Sequence, residues 1–200
     1  MSCQQPDGKG GAGCPTLSGK ELVAAARAQY KGDTREFARQ AAIQEAECYA
    51  GREEEPQQLI PTKSRIVEIC EFAEKMGFKK LGLAFCIRSM KEATIVADFF
   101  EGRGFEVVSV VCKAGGVPKE RIGIEESEKL RIGTYEAMCN PIMQAKVLNH
   151  AGTQFNVVMG LCVGHDSLLF KNIEAPCTVL VVKDRINDDN PAAAIRKLGR

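Results

Sequence analysis

Four short runs of the chain are apolar on both faces: 80–86 (KLGLAFC), 106–112 (EVVSVVC), 156–162 (NVVMGLC) and 178–182 (TVLVV). A strand with one wet face alternates apolar and polar residues, so runs without alternation belong to strands covered on both sides, as in parallel sheets. Stretches at helical spacing lie between them, over 90–102, about 141–149 and 166–171. Strand, helix, strand in repetition is the βαβ signature. The expectation is an α/β fold, Rossmann-like or flavodoxin-like, with at least four parallel strands, right-handed crossovers and helices on both faces. We expect the spatial order second, first, third, fourth, which puts the topological switch point between the first and third strands.

Three segments are expected. Residues 1–17, rich in Gly and Pro at the start, read as a flexible or metal-pinned arm carrying Cys3 and Cys14. Residues 18–60 read as a helical segment: Ser18 followed by Glu21 suggests a capping box for a helix to about Tyr30, and Asp33 or Thr34 can cap a second one ending near Gly51. The charged stretch 51–58 reads as a solvated connector. The α/β domain should fill 61–200, opening with a helix whose Ile66, Ile69, Cys70, Ala73 and Met76 share one face.

A net charge of +1 offers phosphate backbones and anionic membranes little attraction, so no nucleic-acid partner is expected. No apolar run approaches the roughly 20 residues that span a bilayer, and the polar start lacks the apolar core of a secretory signal, so the expected location is cytoplasmic. Nine cysteines, an odd number without an export signal, argue against a disulfide framework and for reduced thiols: packing groups, metal ligands or reactive groups.

Position sorts them. Cys86, Cys112 and Cys162 each end one of the first three apolar runs. In a parallel sheet all carboxyl ends lie along one edge, where open α/β folds bind ligands. Cys139 precedes Asn140-Pro141, a cap and first-turn pair for the helix that feeds the third strand, and that helix begins at the same edge. Four thiols can therefore meet beside a positive helix terminus that favours thiolates. Four thiolates suit a cubane iron–sulfur cluster or tetrahedral zinc. The lack of compact C-x-x-C pairs tilts the choice to a cluster, 4Fe–4S, with zinc as the alternative. Cys70, Cys48 and Cys177 are read as packing residues, the last at the opposite edge. Cys3 and Cys14 stay open between a second metal site, an extra ligand and loose thiols.

His165 follows Gly164 after the third run and should face the crevice as a ligand, a donor to sulfide or a general acid–base, with Asp166 capping the next helix or orienting the imidazole. His150 reads as a surface residue. The connection 113–138 is long enough for a lid or binding loop, and Lys113, Arg88 and Arg131 are candidate anion contacts. A glycine-rich phosphate fingerprint is missing after the first strand, which removes the main support for dinucleotide binding.

Linked motifs carry a family resemblance: GLAFC at 82–86, VVCK at 110–113, EAMCNP at 136–141, GLCVGHD at 160–166 and VKDR at 182–185. On these, the stretch from about 62 to 194 resembles domain of unknown function family 1847, predicted metal-binding proteins found mostly in anaerobic microbes. The resemblance implies metal but no particular reaction. Members often carry a denser amino-terminal cysteine cluster, whereas this chain has only Cys3 and Cys14 there.

The leading functional expectation is an iron–sulfur protein of anaerobic metabolism, in electron transfer or in cluster-assisted chemistry such as desulfuration of a small molecule. Its expected partners are a small-molecule substrate or a redox protein, with a homo-oligomer compatible. With only Cys86, Cys112 and Cys162 as ligands, an open iron can take substrate while Cys139 or His165 handles protons. The alternatives are a zinc-binding or metal-trafficking module, and a metal-free thiol enzyme with Cys162 as nucleophile and His165 as base.

Overall fold

A computed structural model describes residue 11 and residues 13–199. The chain divides into two compact units, residues 1–63 and 64–200. Cys3 and the start of the expected arm lie outside the described residues.

The first unit holds three helices, α1 (Pro15–Ser18), α2 (Lys20–Gln29) and α3 (Gly32–Glu47), followed by a two-stranded antiparallel pair, β1 (Tyr49–Ala50) and β2 (Ile60–Pro61). The expected capping box does not form: α2 starts after Gly19 with no side-chain cap. The Ser18 hydroxyl donates instead to the Cys14 carbonyl 3.0 Å away, because a short turn of helix already occupies 15–18. Lys31, rather than Asp33 or Thr34, stands at the N-cap of α3. The connector 51–58 is the tip of a hairpin, closed where Thr62 N–H donates to the Cys48 carbonyl at 2.8 Å. Cys48 is buried and its thiol bonds the Gln44 carbonyl, the packing role expected of it.

The second unit is the α/β domain. Its order is α4 (Arg65–Lys75), β3 (Lys80–Phe85), α5 (Met90–Gly102), β4 (Glu106–Val111), α6 (Pro141–His150), β5 (Phe155–Met159), α7 (His165–Asn172), β6 (Cys177–Val181) and α8 (Pro191–Leu198). All four strands are parallel in the order β4-β3-β5-β6, the expected second, first, third, fourth. The connections through α5 and α6 run in opposite directions along the sheet, so right-handed crossovers put these helices on opposite faces. Among the described residues no helix is long and apolar enough to cross a membrane.

Strand alternation divides the core. Ala84, Val110 and Val158 face Ala145 and Leu148 of α6 and Leu169 of α7. Leu81, Leu83, Val157 and Met159 fill the other face, all within 1 % of full burial. At the amino ends of the strands Phe155 packs edge-on to Phe72 (5.5 Å) and stacks on Phe78 (5.8 Å), an aromatic plug. Asn140 caps α6 by accepting the Met143 N–H at 3.0 Å, with Pro141 in the first turn, as its sequence predicts.

One strand is shorter than expected. Gly160 takes φ +58°, so β5 stops at Met159 and Cys162 sits three residues beyond it, in the turn into α7, rather than closing the strand.

Candidate functional site

Cys86 and Cys112 follow β3 and β4 immediately. Because Phe85 pairs with Val111, these two cysteines are the next rung of the same parallel ladder. Their backbones are fixed: Cys112 N–H donates to the Phe85 carbonyl at 2.9 Å and Cys86 N–H to the Met159 carbonyl at 3.1 Å. The loop after β4 returns to the same place, where Asn140 N–H donates to the Cys112 carbonyl at 2.7 Å and so brings Cys139 beside Cys112. The three thiols form a row, Cys112 in the middle, near enough to Cys86 on one side and Cys139 on the other for each to shift its neighbour's ionisation. Cys86 and Cys112 are buried, while Cys139 is half-buried.

Donors surround the row. Lys183 Nζ lies 2.9 Å from Cys86 Sγ, and Ile87 N–H reaches Cys112 Sγ at 3.4 Å. The neighbouring Cys112 thiol, aided by Lys183, holds the Cys86 thiol well below the ordinary thiol range. Cys139 is lowered as well, first by Cys112 and then by the charges of Lys113 and His165. Cys112 moves the opposite way, because ionising it would set a thiolate between two others. It has one proton, which serves one neighbour at a time.

Cys162 stands apart from this row. It is half-buried, and its sulfur accepts from an Arg185 guanidinium nitrogen at 3.1 Å. Its carbonyl anchors the start of α7 by accepting from His165 and Asp166 N–H groups. His165 opens α7 within electrostatic reach of Cys139. Asp166 neither caps nor orients: Gly164 occupies the N-cap, and Asp166 Oδ1 accepts the Ser167 N–H at 2.7 Å. Arg131 is exposed on the loop, and its backbone bonds Glu136 and Thr134 rather than any thiol. Lys113 reaches the Ala137 carbonyl, closing the loop behind Cys139.

The connection 113–138 is a tied structure. Pro118 and Ala137 form an antiparallel bridge, and Lys119 pairs with Glu136 at 2.8 Å. The Lys129 ammonium is buried between Glu120 (2.5 Å) and Glu126 (2.6 Å). Cys70 and Cys177 take no part in the site. Burial pushes the Cys70 thiol up to about 11 and the Cys177 thiol up to about 12, as packing groups should be.

Lys183 and Arg185 were not assigned by motif reasoning, yet they make the two shortest cation–sulfur contacts of the site. A signal for them exists. β6 is parallel to β5 and ends at Val181, so alternate residues just beyond it must emerge at the thiol edge.

The soft donor set and the N–H groups aimed at sulfur fit a thiolate-bound metal. As the side chains stand, no three His, Cys, Asp or Glu residues among those described are arranged to hold one ion. Holding a metal would require these side chains to turn toward one point and the thiols to release their protons.

Residues 14–180 match the family described as "Protein of unknown function (DUF1847)". The chain belongs to this family. A relative, the uncharacterized protein MJ0455 of Methanocaldococcus jannaschii, is 47% identical over 133 residues, covering 66% of this chain and 67% of its own length. The match includes both β3–β4 and the turns that carry the three-thiol row, and it reaches to within one residue of the end of β6.

Proposed function

We propose that this member of the family holds a metal–thiolate centre at the carboxyl edge of its sheet, an iron–sulfur cluster in preference to zinc, and works in a reducing, cytoplasmic compartment. The observation that carries the reading is the row Cys86–Cys112–Cys139, three thiols from separate turns brought into contact beside Lys183 and Lys113. Packing alone gives no reason to gather three ionisable sulfurs and set ammonium groups against them. A thiolate-ligated cluster carries net negative charge, which those cations and the backbone N–H groups would balance. Cys86, Cys112 and Cys139 are the first ligands in this reading, and Cys162 is the fourth if it leaves Arg185.

Such a centre supplies either an electron or a Lewis-acidic iron for a small molecule. A cavity bordering Lys183 favours the second use. His165, within electrostatic reach of Cys139, would give or take a proton at the thiol row.

The test is metal and acid-labile sulfide analysis with an absorption spectrum, on protein purified without oxygen. Iron with stoichiometric sulfide is expected, lost in Cys86→Ala/Cys112→Ala/Cys139→Ala but kept when Cys70→Ala and Cys177→Ala are combined, with circular dichroism verifying that each protein is folded. Cys162→Ala separates three ligands from four. Stoichiometric zinc without sulfide would replace the cluster by a zinc or trafficking role, and folded wild-type protein that takes up neither would end the metal reading.

A further inference from the structure

A cavity of about 390 Å³ opens at the same edge, between the turn that starts α5 and the segment after β6. Its volume is in the range of small-molecule sites. Three cations line it: Arg88, Lys183 and Arg185. None of them has a carboxylate partner among the described residues. Lys183 and Arg185 instead reach out of the cavity to Cys86 and Cys162.

Its acids divide in two. Asp184 is used by its own loop, accepting from Ile186 N–H, Asn187 N–H and Asn187 Nδ2. Among the described residues Glu92 and Asp188 have no such partners, and Asp189 spends only Oδ1, on the Asp184 N–H at 2.9 Å. The loop is held to this shape although Asp188 and Asp189 both adopt left-handed backbone (φ +51° and +56°), which is unfavourable for residues with a side chain.

Polar groups converge at one point. Gly160 has no side chain, and the space its Cβ would take is 3.0 Å from Ser89 Oγ, 3.9 Å from Lys183 Cε and 4.0 Å from Asp189 Oδ2. Ser89 is 8% exposed and stands at the N-cap of α5 without capping it, so its hydroxyl is left to this space.

We infer that this cavity is a binding site for a small zwitterion of amino-acid size, its acid group taken by Arg88, Ser89 and Lys183 and its ammonium by Glu92, Asp188 and Asp189. The charge balance decides the class. The lining carries three cations and four carboxylates, so a phosphate or other polyanion meets more repulsion than attraction, whereas a dipolar molecule can meet both signs. The Lys183 ammonium touches both this cavity and Cys86, which would couple occupancy to the thiols. Placing the zwitterion as the molecule acted upon rests on the proposed metal–thiolate centre; its binding does not.

Equilibrium dialysis of the anaerobically prepared full chain against labelled L-methionine and labelled taurine tests this, with propionate, ethylamine and inorganic phosphate as competitors. Saturable binding of a zwitterion is expected, at least about tenfold tighter than any of the three competitors, since each charged hydrogen bond lost is worth roughly that factor. Binding of L-methionine alone assigns a carboxylate head, and binding of both admits a sulfonate. Arg88→Met and Glu92→Gln should each weaken binding about tenfold or more, while Lys146→Met, on exposed α6 surface, should not. No saturable binding of either zwitterion, phosphate binding as tightly, or indifference to both cavity variants would overturn the inference. Metal is assayed in the same samples: a chain that binds the zwitterion but takes up no metal would sink the proposed centre and leave this site standing.

Discussion

The two ends of the parallel sheet treat the same residue in opposite ways. Near the amino ends, Cys177 opens β6 a step along the ladder from the Phe72–Phe155–Phe78 plug, and burial alone drives its thiol up to about 12. At the carboxyl ends Cys86 is more deeply buried than Cys177, yet its thiol is lowered. Desolvation opposes the thiolate in both places. The carboxyl end overcomes it because turns there expose N–H groups that no strand consumes, and because the chain places Lys183 and Lys113 against sulfur. Burial by itself therefore says little about a thiol; the donors around it decide.

That contrast can be broken most sharply by alkylation. In reduced, metal-free protein at pH 7, Cys139 should react with iodoacetamide on the order of a thousandfold faster than Cys177 or Cys70, since the thiolate is the nucleophile. Peptide mass spectrometry over time reads each site, and equal rates would mean the two ends do not differ electrostatically.

Removing support beneath the thiols comes next in size. Gln144 is fully buried, and its amide donates to the Phe85 and Val110 carbonyls at 3.2 and 2.8 Å, one residue before Cys86 and two before Cys112. Gln144→Leu removes two hydrogen bonds at a cost of about 1–3 kcal/mol in urea unfolding, each being worth about 0.5–1.5 kcal/mol. A change smaller than measurement error would show that the ladder holds the edge unaided.

The smallest effect is in alkali. Cys177 has a raised thiol, so its contribution to stability is complete below the ordinary thiol value of 9.0 and is lost as pH rises toward about 12, the unfolded chain ionising first. Relative to pH 8, wild type should lose about 1 kcal/mol more than Cys177→Ala by pH 10. Parallel curves for the two proteins would place Cys177 in contact with solvent.

Much of this arrangement is legible in the amino acids. Continuous apolar runs, their helical spacers and the Asn140-Pro141 start predict the parallel sheet and its order, because two-sided burial and crossover handedness leave few choices. Cys86, Cys112 and Cys139 meet for the same reason. Cys162 is displaced because one glycine, Gly160, can end a strand that hydropathy would continue. Lys183 and Arg185 escape notice because a charged residue past a strand looks like solvated surface until the parallel direction of β6 sets it beside sulfur. The 51–58 hairpin and the exchange of caps at Ser18 and Asp166 turn on local hydrogen bonds that composition does not rank.

The bond from Asn140 N–H to the Cys112 carbonyl and that from Lys113 to the Ala137 carbonyl close the base of the whole 113–138 loop, and the Lys129 ammonium ties its interior. Such a loop is a cassette: its body can be lengthened, shortened or exchanged without moving the thiols at its two ends. Evolution, or an engineer, can thus revise what approaches the centre while leaving the centre itself alone.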